Sequence, residues 1–169
     1  MAALTTPRLT PYKLDGSQNQ IGPVGVAAAT TLYLGGVVCL NPAGNAVPGS
    51  TGASLICMGV LMNQPNVVPA GSVVNSGAAN ATQIQIDQGT FFLDNDPAAP
   101  LTAADLGHAC LLNDDRTVSR ISPANASRCI AGTVVGLNAT GTSEPIGVGV
   151  WVKIPAAQPF QGTGFGMYV

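Results

Sequence analysis

The chain has 169 residues, enough for one ordinary core or two small ones. Only 8% of them are charged, with 6 Lys+Arg against 8 Asp+Glu and a net charge of −2. No basic face is therefore available to neutralise phosphates, which argues against nucleic-acid binding. Apolar residues make up 46%, which separates the chain from disordered sequences, and 21 Gly with 13 Pro oppose long helices and suit short strands and turns.

Residues 1–25 carry Pro7, Pro11, Gly16, Gly22, Pro23 and Gly25 with no hydrophobic period. They read as an extended N-terminal arm of the kind that becomes ordered on a partner. The start lacks the basic, apolar and cleavage segments of a signal peptide, so export is not expected. No charged residue occurs from Gly16 to Ile86. Residues 24–40 are apolar enough to raise the question of a membrane span, but Gly25, Gly35, Gly36 and the Asn41-Pro42 step argue against a spanning helix. Leu32–Leu40 reads as one strand, and Asn41-Pro42-Ala43-Gly44 fits a type I turn. Leu55–Met62 reads as a buried strand. Val67-Val68 and Pro69-Ala70-Gly71 make a turn into a strand at Ser72–Val74.

Thr82–Asp87 alternates, with Ile84 and Ile86 on one face and Gln83, Gln85 and Asp87 on the other, the signature of a half-buried strand. Gly89–Leu93 continues it up to Asp94-Asn95-Asp96-Pro97. Thr102–Leu106, closed by Gly107, forms a single helical turn with Thr102 as its cap. Ala109–Leu112 is a strand, Asn113–Arg116 a turn and Thr117–Ile121 the return. Cys129–Leu137 and Gly147–Ile154 are the last strands, the second ended by Pro155. With no convincing long helix, the class is all-β.

A faint repeat organises these elements. Thr30, Leu34, Gly35, Leu40, Asn41, Ser50 and Cys57 recur 72 positions later as Thr102, Leu106, Gly107, Leu112, Asn113, Ser122 and Cys129. This predicts a β-module built twice, over about residues 30–86 and 102–154. The domain plan is an arm at 1–25, a β domain at 26–154 and a C-terminal tail at 155–169. The sequence leaves open whether the two units form one merged β-sandwich or two small barrels.

Chemistry-bearing residues are few. Cys39, Cys57, Cys110 and Cys129 lie in apolar strands without C-x-x-C spacing and read as buried free thiols. His108 is the single imidazole. Asp105 lies close by, but no nucleophile elbow is present, and both residues fall within the repeat. Asp94 and Asp96 resemble the start of a calcium loop, but Pro97 follows and no later acid completes it. Asp114 and Asp115 read as turn residues, with Arg116, Arg120 and Arg128 as ion-pair partners or as contacts to an acidic surface. Gly162-Thr-Gly164-Phe-Gly166 lacks the following helix that a phosphate loop needs. The sequons at Asn80, Asn125 and Asn138 need export to matter. The residues thus give no catalytic, cofactor or metal site, and no enzyme.

The Gly35-Gly-Val-Val-Cys-Leu40 run, Cys57-Met-Gly59-Val60 and Pro69-Ala-Gly71-Ser-Val-Val74 resemble bacteriophage capsid cement, or head decoration, proteins. So do Leu101–Gly107, Asp115–Ser119, Ala131–Val135 and Val150–Ile154. The likeness spans about residues 24–154. It implies a small β-tulip-like barrel or sandwich that binds the outer surface of a phage head and rivets neighbouring major capsid subunits of the expanded shell. The implied partners are the major capsid protein and further copies of the chain, a trimer being favoured and a dimer compatible with the duplication. The implied location is the virion surface after assembly in the host cytoplasm, without membrane or cofactor. The rival reading is a phage tail or surface-exposed adhesion module binding carbohydrate or a host surface. Such modules usually display aromatic platforms, whereas Trp151, the single Trp, lies in an alternating strand expected in the core.

Overall fold

The computed structural model describes residues 3–13, 19–62, 71–137 and 149–154. The architecture is all-β. In chain order the strands are β1 (Tyr12–Lys13), β2 (Asn19–Gly25), β3 (Thr30–Tyr33), β4 (Val37–Leu40), β5 (Ala46–Pro48) and β6 (Ile56–Val60). Then follow β7 (Ser72–Asn75), β8 (Gln83–Asn95), β9 (Ala109–Leu112), β10 (Thr117–Ser119), β11 (Ile130–Leu137) and β12 (Gly149–Ile154). Among the described residues the one helical element is a 3-10 turn at Ala103–Asp105. The Asp105 carboxylate accepts from the Thr102 N–H at 2.7 Å and from its hydroxyl at 2.9 Å.

The expected strand over 32–40 is two strands. Gly35, at φ 81°, turns the chain between β3 and β4, a conformation that glycine adopts without a Cβ penalty. The two stretches expected at 82–87 and 89–93 are instead one 13-residue strand, β8. Residues 19–25, expected within the arm, form β2 and pair along the first half of β8 from Asn19↔Gln88 to Gly25↔Gln83. The arm proper is therefore shorter than 1–25. The turn at 67–70, the sequon at Asn138 and the tail at 155–169 lie outside the described residues.

β8 is the shared element of two barrels. Its second half, with β12, β11, β9 and β10, makes a closed five-stranded barrel; the ring shuts through the parallel pairs Thr117↔Asp94 and Val118↔Asn95. Its first half runs in the same order through β6, β4 and β5, and a single parallel bridge, Val26↔Ala46, returns to the end of β2. In the second barrel β12 stands where β8's first half stands in the first. β8's second half stands there in the place of β2.

The repeat is visible bond by bond. Leu40↔Ala46 and Cys39↔Val47 recur as Leu112↔Val118 and Leu111↔Ser119. Gly35 donates to Leu61 O and Leu61 back to Gly36 O, as Gly107 donates to Val134 O and Val134 back to His108 O. Ala27 donates to Ala46 O as Asp96 donates to Val118 O. After the Ser50/Ser122 loop the offset becomes 73: Leu55 donates to Gly52 O as Arg128 donates to Asn125 O. Cys57 pairs with Cys39, whereas Leu111, the counterpart of Cys39, pairs with Ile130. The Cys57/Cys129 identity is thus one residue out of structural register, because the second loop holds one extra residue.

Both faces of the first unit's central strands are covered, which explains why Val37–Leu40 and Ile56–Leu61 are unbroken apolar runs. Val38, Met58, Leu61, Ile84 and Ile86 fill the first barrel. Val37, Cys39, Cys57 and Val60 join the second core, with Phe91, Leu93, Val134 and Val152 among its members. Each fully buried aliphatic side chain contributes about 1.5–3 kcal/mol of transfer free energy. Equivalent glycines let the strands approach. A Cβ on Gly59 would strike Asp87 O, and one on Gly132 would strike Lys153 O. Gly132→Ala is expected to cost about 1–3 kcal/mol, as overpacking against backbone does. Gly44→Ala, with nothing within 4 Å but φ at 78°, is expected to cost about 1 kcal/mol, the strain of a left-handed alanine alone. Urea unfolding midpoints of the two variants check the order.

Candidate interaction site at the N-terminal arm

Residues 3–13 lie across the junction of the two barrels. The Leu4 N–H donates to Asp115 Oδ1 at 2.8 Å. The Arg8 N–H donates to Leu34 O at 3.0 Å, and the Thr10 hydroxyl to Gly35 O at 2.5 Å. Phe92 N–H donates to Pro11 O at 2.8 Å, and β1 then pairs as Tyr12↔Phe91 and Lys13↔Thr90. The arm thus bonds to a turn of the first unit and to β8 and a turn of the second. The sequence pointed to ordering on a partner; here residues 3–13 are seated on their own chain.

Asp94 is the ionic centre of this seam. Its Oδ1 meets Arg8 Nη1 at 3.2 Å and its Oδ2 meets Arg116 Nε at 3.1 Å, with all three side chains between 19% and 34% exposed. At that exposure the pairs are worth at most about 1 kcal/mol each, so they fix the arm's register more than they hold it down. Arg116 does not pair with Asp114 or Asp115 as the sequence suggested. Asp114 Oδ1 is taken by the N–H groups of Arg116 and Thr117 at 3.0 and 2.8 Å, as a turn aspartate should be. Arg128 donates to Asn113 Oδ1 at 2.8 Å.

The other acids singled out in the sequence have structural partners too. Asn95 exchanges hydrogen bonds with the Leu101 backbone at 2.9 and 2.8 Å. Asp96 accepts from Asn113 Nδ2 at 2.6 Å and from the Ala98 N–H at 3.0 Å. Among the described residues no group of three or more His, Cys, Asp or Glu is arranged to hold a metal ion. His108 is exposed beside the Asp105 turn, its N–H donating to Asp105 O at 3.1 Å. Asn125 is buried, accepting from the Ser122 N–H at 2.6 Å and donating to Arg120 O at 3.0 Å. Trp151 is half-buried and meets Phe92 edge-on at 5.3 Å, so its ring braces β8 against β12.

All four thiols are buried and free. Cys39, Cys57 and Cys129 meet where the units touch. Their hydrogen bonding pulls the Cys39 thiol both ways, down through Cys129 and up through Cys57. With burial added, it stands well above its ordinary value. The bond to Cys39 and then burial push Cys129 up. Burial pushes Cys110 to about 12. Thiolate is the reactive form, so these groups act as small apolar fillers.

An open, mostly apolar cleft of about 240 Å³ lies beside the arm, with Pro7, Leu9, Leu34 and Met62 in its walls. Leu9 stands at its rim, 97% exposed. Among the described residues no helix is long and apolar enough to cross a membrane. Comparison of the chain with protein-family models, with curated proteins and with solved structures gives no match in any of the three.

Two measurements check this description. Burial raises the Asp115 pKa above 3.8, against the pull of the Leu4 N–H. A raised acid favours the fold most below its unfolded value, and that contribution is lost as pH rises through the folded value. Asp115→Asn, which keeps an oxygen for Leu4, is therefore expected to match the parent below pH 3.8 and to gain stability relative to it at neutral pH. Denaturation at a series of pH values reads this directly, and the opposite slope refutes it. Likewise, a thiol reagent at pH 8 is expected to leave Cys39, Cys110 and Cys129 unmodified in the native protein and to label all of them in denaturant.

Proposed function

We propose that the chain is a structural virion protein, a cement protein that binds the outside of a phage head and links neighbouring major capsid subunits. The reading begins from the sequence resemblance. The observation that carries it is how the few charges are used. Asp94, Asp96, Asp105, Asp114 and Asp115 all have internal partners, while Leu9, Tyr12, Val74, Leu106, Ile121 and Val135 are exposed apolar residues. On this surface Arg120 and Lys153 are the exposed charges among the described residues, so docking on protein strips water from few ions. Two barrels rigidly joined through β8 suit a rivet, which needs shape and several modest contacts rather than chemistry; multivalency turns such contacts into tight attachment. The chain would act as a homo-oligomer, with a trimer or a dimer as the candidate assemblies.

Co-sedimentation with expanded and unexpanded heads, assembled from the major capsid protein of the same genome, tests the reading. Binding to expanded heads is expected, with a higher temperature of shell disruption. Apolar docking also predicts affinity that changes little between low and high salt, since screening acts on charges. No binding to either head form, with shell stability unchanged, overturns the proposal.

A further inference from the structure

The duplication supplies two copies of one surface feature, and only one of them is covered. In the first unit the Leu34-Gly35 turn and Met62 form a small apolar seat. The arm lies on it: the Arg8 N–H takes Leu34 O at 3.0 Å, the Thr10 hydroxyl takes Gly35 O at 2.5 Å, and Pro7 and Leu9 flank the apolar pair. Leu34 and Met62 are half-buried, and a Cβ on Gly35 would strike Arg8 O.

The hydrogen-bond register places Leu106-Gly107 and Val135 at the same positions in the second unit. Gly107 bonds to Val134 as Gly35 bonds to Leu61, and both glycines turn at nearly the same angle, φ 80° and 81°. Here nothing among the described residues lies over the turn. Leu106 is 45% and Val135 44% exposed, and a Cβ on Gly107 would meet nothing within 4 Å. The carbonyls of Leu106 and Gly107 accept no hydrogen bond from a described residue. The two turns thus present matching carbonyls and a matching apolar pair; in the first the carbonyls are bonded by the arm, with an open cleft beside the apolar pair, and in the second they are bare.

We infer that the Leu106-Gly107 turn with Val135 is a second peptide seat, and that it takes an extended, charge-poor segment of another polypeptide. The chemistry of the occupant is written in the first unit. It offers a main-chain N–H to Leu106 O and a Ser or Thr hydroxyl two residues later to Gly107 O, with uncharged side chains beside Leu106 and Val135. Among the described residues each chain has two seats and one such arm, which is already engaged on the first seat, and exchange of arms between copies leaves as many seats bare as it fills. The occupant we infer is accordingly a segment of a different protein. That this protein is the major capsid subunit rests on the cement reading above; the seat itself rests on the repeat alone.

The probe is a synthetic peptide of residues 3–13 added at millimolar concentration to the isotopically labelled full chain, followed by amide chemical shifts. Shifts are expected at Leu106, Gly107, His108 and Val135, and they are expected to vanish in Leu106→Glu, whose substituted side chain is exposed and leaves the core intact. A peptide with Thr10→Val is expected to bind about fivefold more weakly, the value of one hydrogen bond. No shifts at 106–108, or shifts confined to 34–36 where the chain's own arm sits, overturn the seat. Because no capsid enters this experiment, that failure leaves the cement reading standing, and failure to bind heads leaves the seat standing.

Discussion

The structure depends on one strand with hydrogen-bonding partners along both edges. β8 takes β2, β1 and β10 on one side and β6 and β12 on the other. A strand in this position cannot slip by a residue. Slipping would turn Ile84, Ile86, Phe91 and Leu93 away from their cores and break two ladders at once. Because its two halves belong to different barrels, the same constraint couples the barrels covalently and through main-chain bonds. Neither unit can rotate against the other without tearing the strand they share. Long edges are also removed from solvent, which matters for a chain so poor in the charges that usually protect them.

The second constraint is closeness. Gly59 and Gly132 sit where one strand meets the carbonyl of the next, and the register around them is conserved between the units to within one inserted residue. Packing at this distance leaves room for small side chains between the barrels, and three thiols occupy it. The arm crosses the remaining seam. It does so chiefly with main-chain hydrogen bonds and a half-exposed ion triad, so its seat is specified by geometry more than by buried area.

Much of the secondary structure was legible from local signals. The Asn41–Gly44 turn, the Thr102 turn, the alternation at 82–87 and the apolar runs at 55–62 and 129–137, which hold β6 and β11, each carry their own residue pattern. Where the reading differed, the deciding partner was distant. β2 looks like arm because Gly22 and Pro23 interrupt it, and only pairing with β8 makes it a strand. The break at Gly35 is fixed by bonds to Leu61 and by the arm. Arg116 lies beside Asp114 and Asp115 in sequence, yet those carboxylates are drawn to backbone N–H groups, and Asp94 is left to pair with it. The arm site was out of reach for the same reason, since Arg8 and Asp94 are 86 residues apart.

The sequence by itself determined the all-β class, the turns, the duplication and the charge-poor surface, because these follow from composition and from residue patterns a few positions long. Only the tertiary structure decided that the units are two barrels sharing a strand, that one residue separates their registers after the loop, and that one of two matching turns is covered. Those outcomes depend on which strand edges meet across the fold. Main-chain hydrogen bonds make that choice, and every residue carries the same main-chain groups, so the sequence holds no local mark of it.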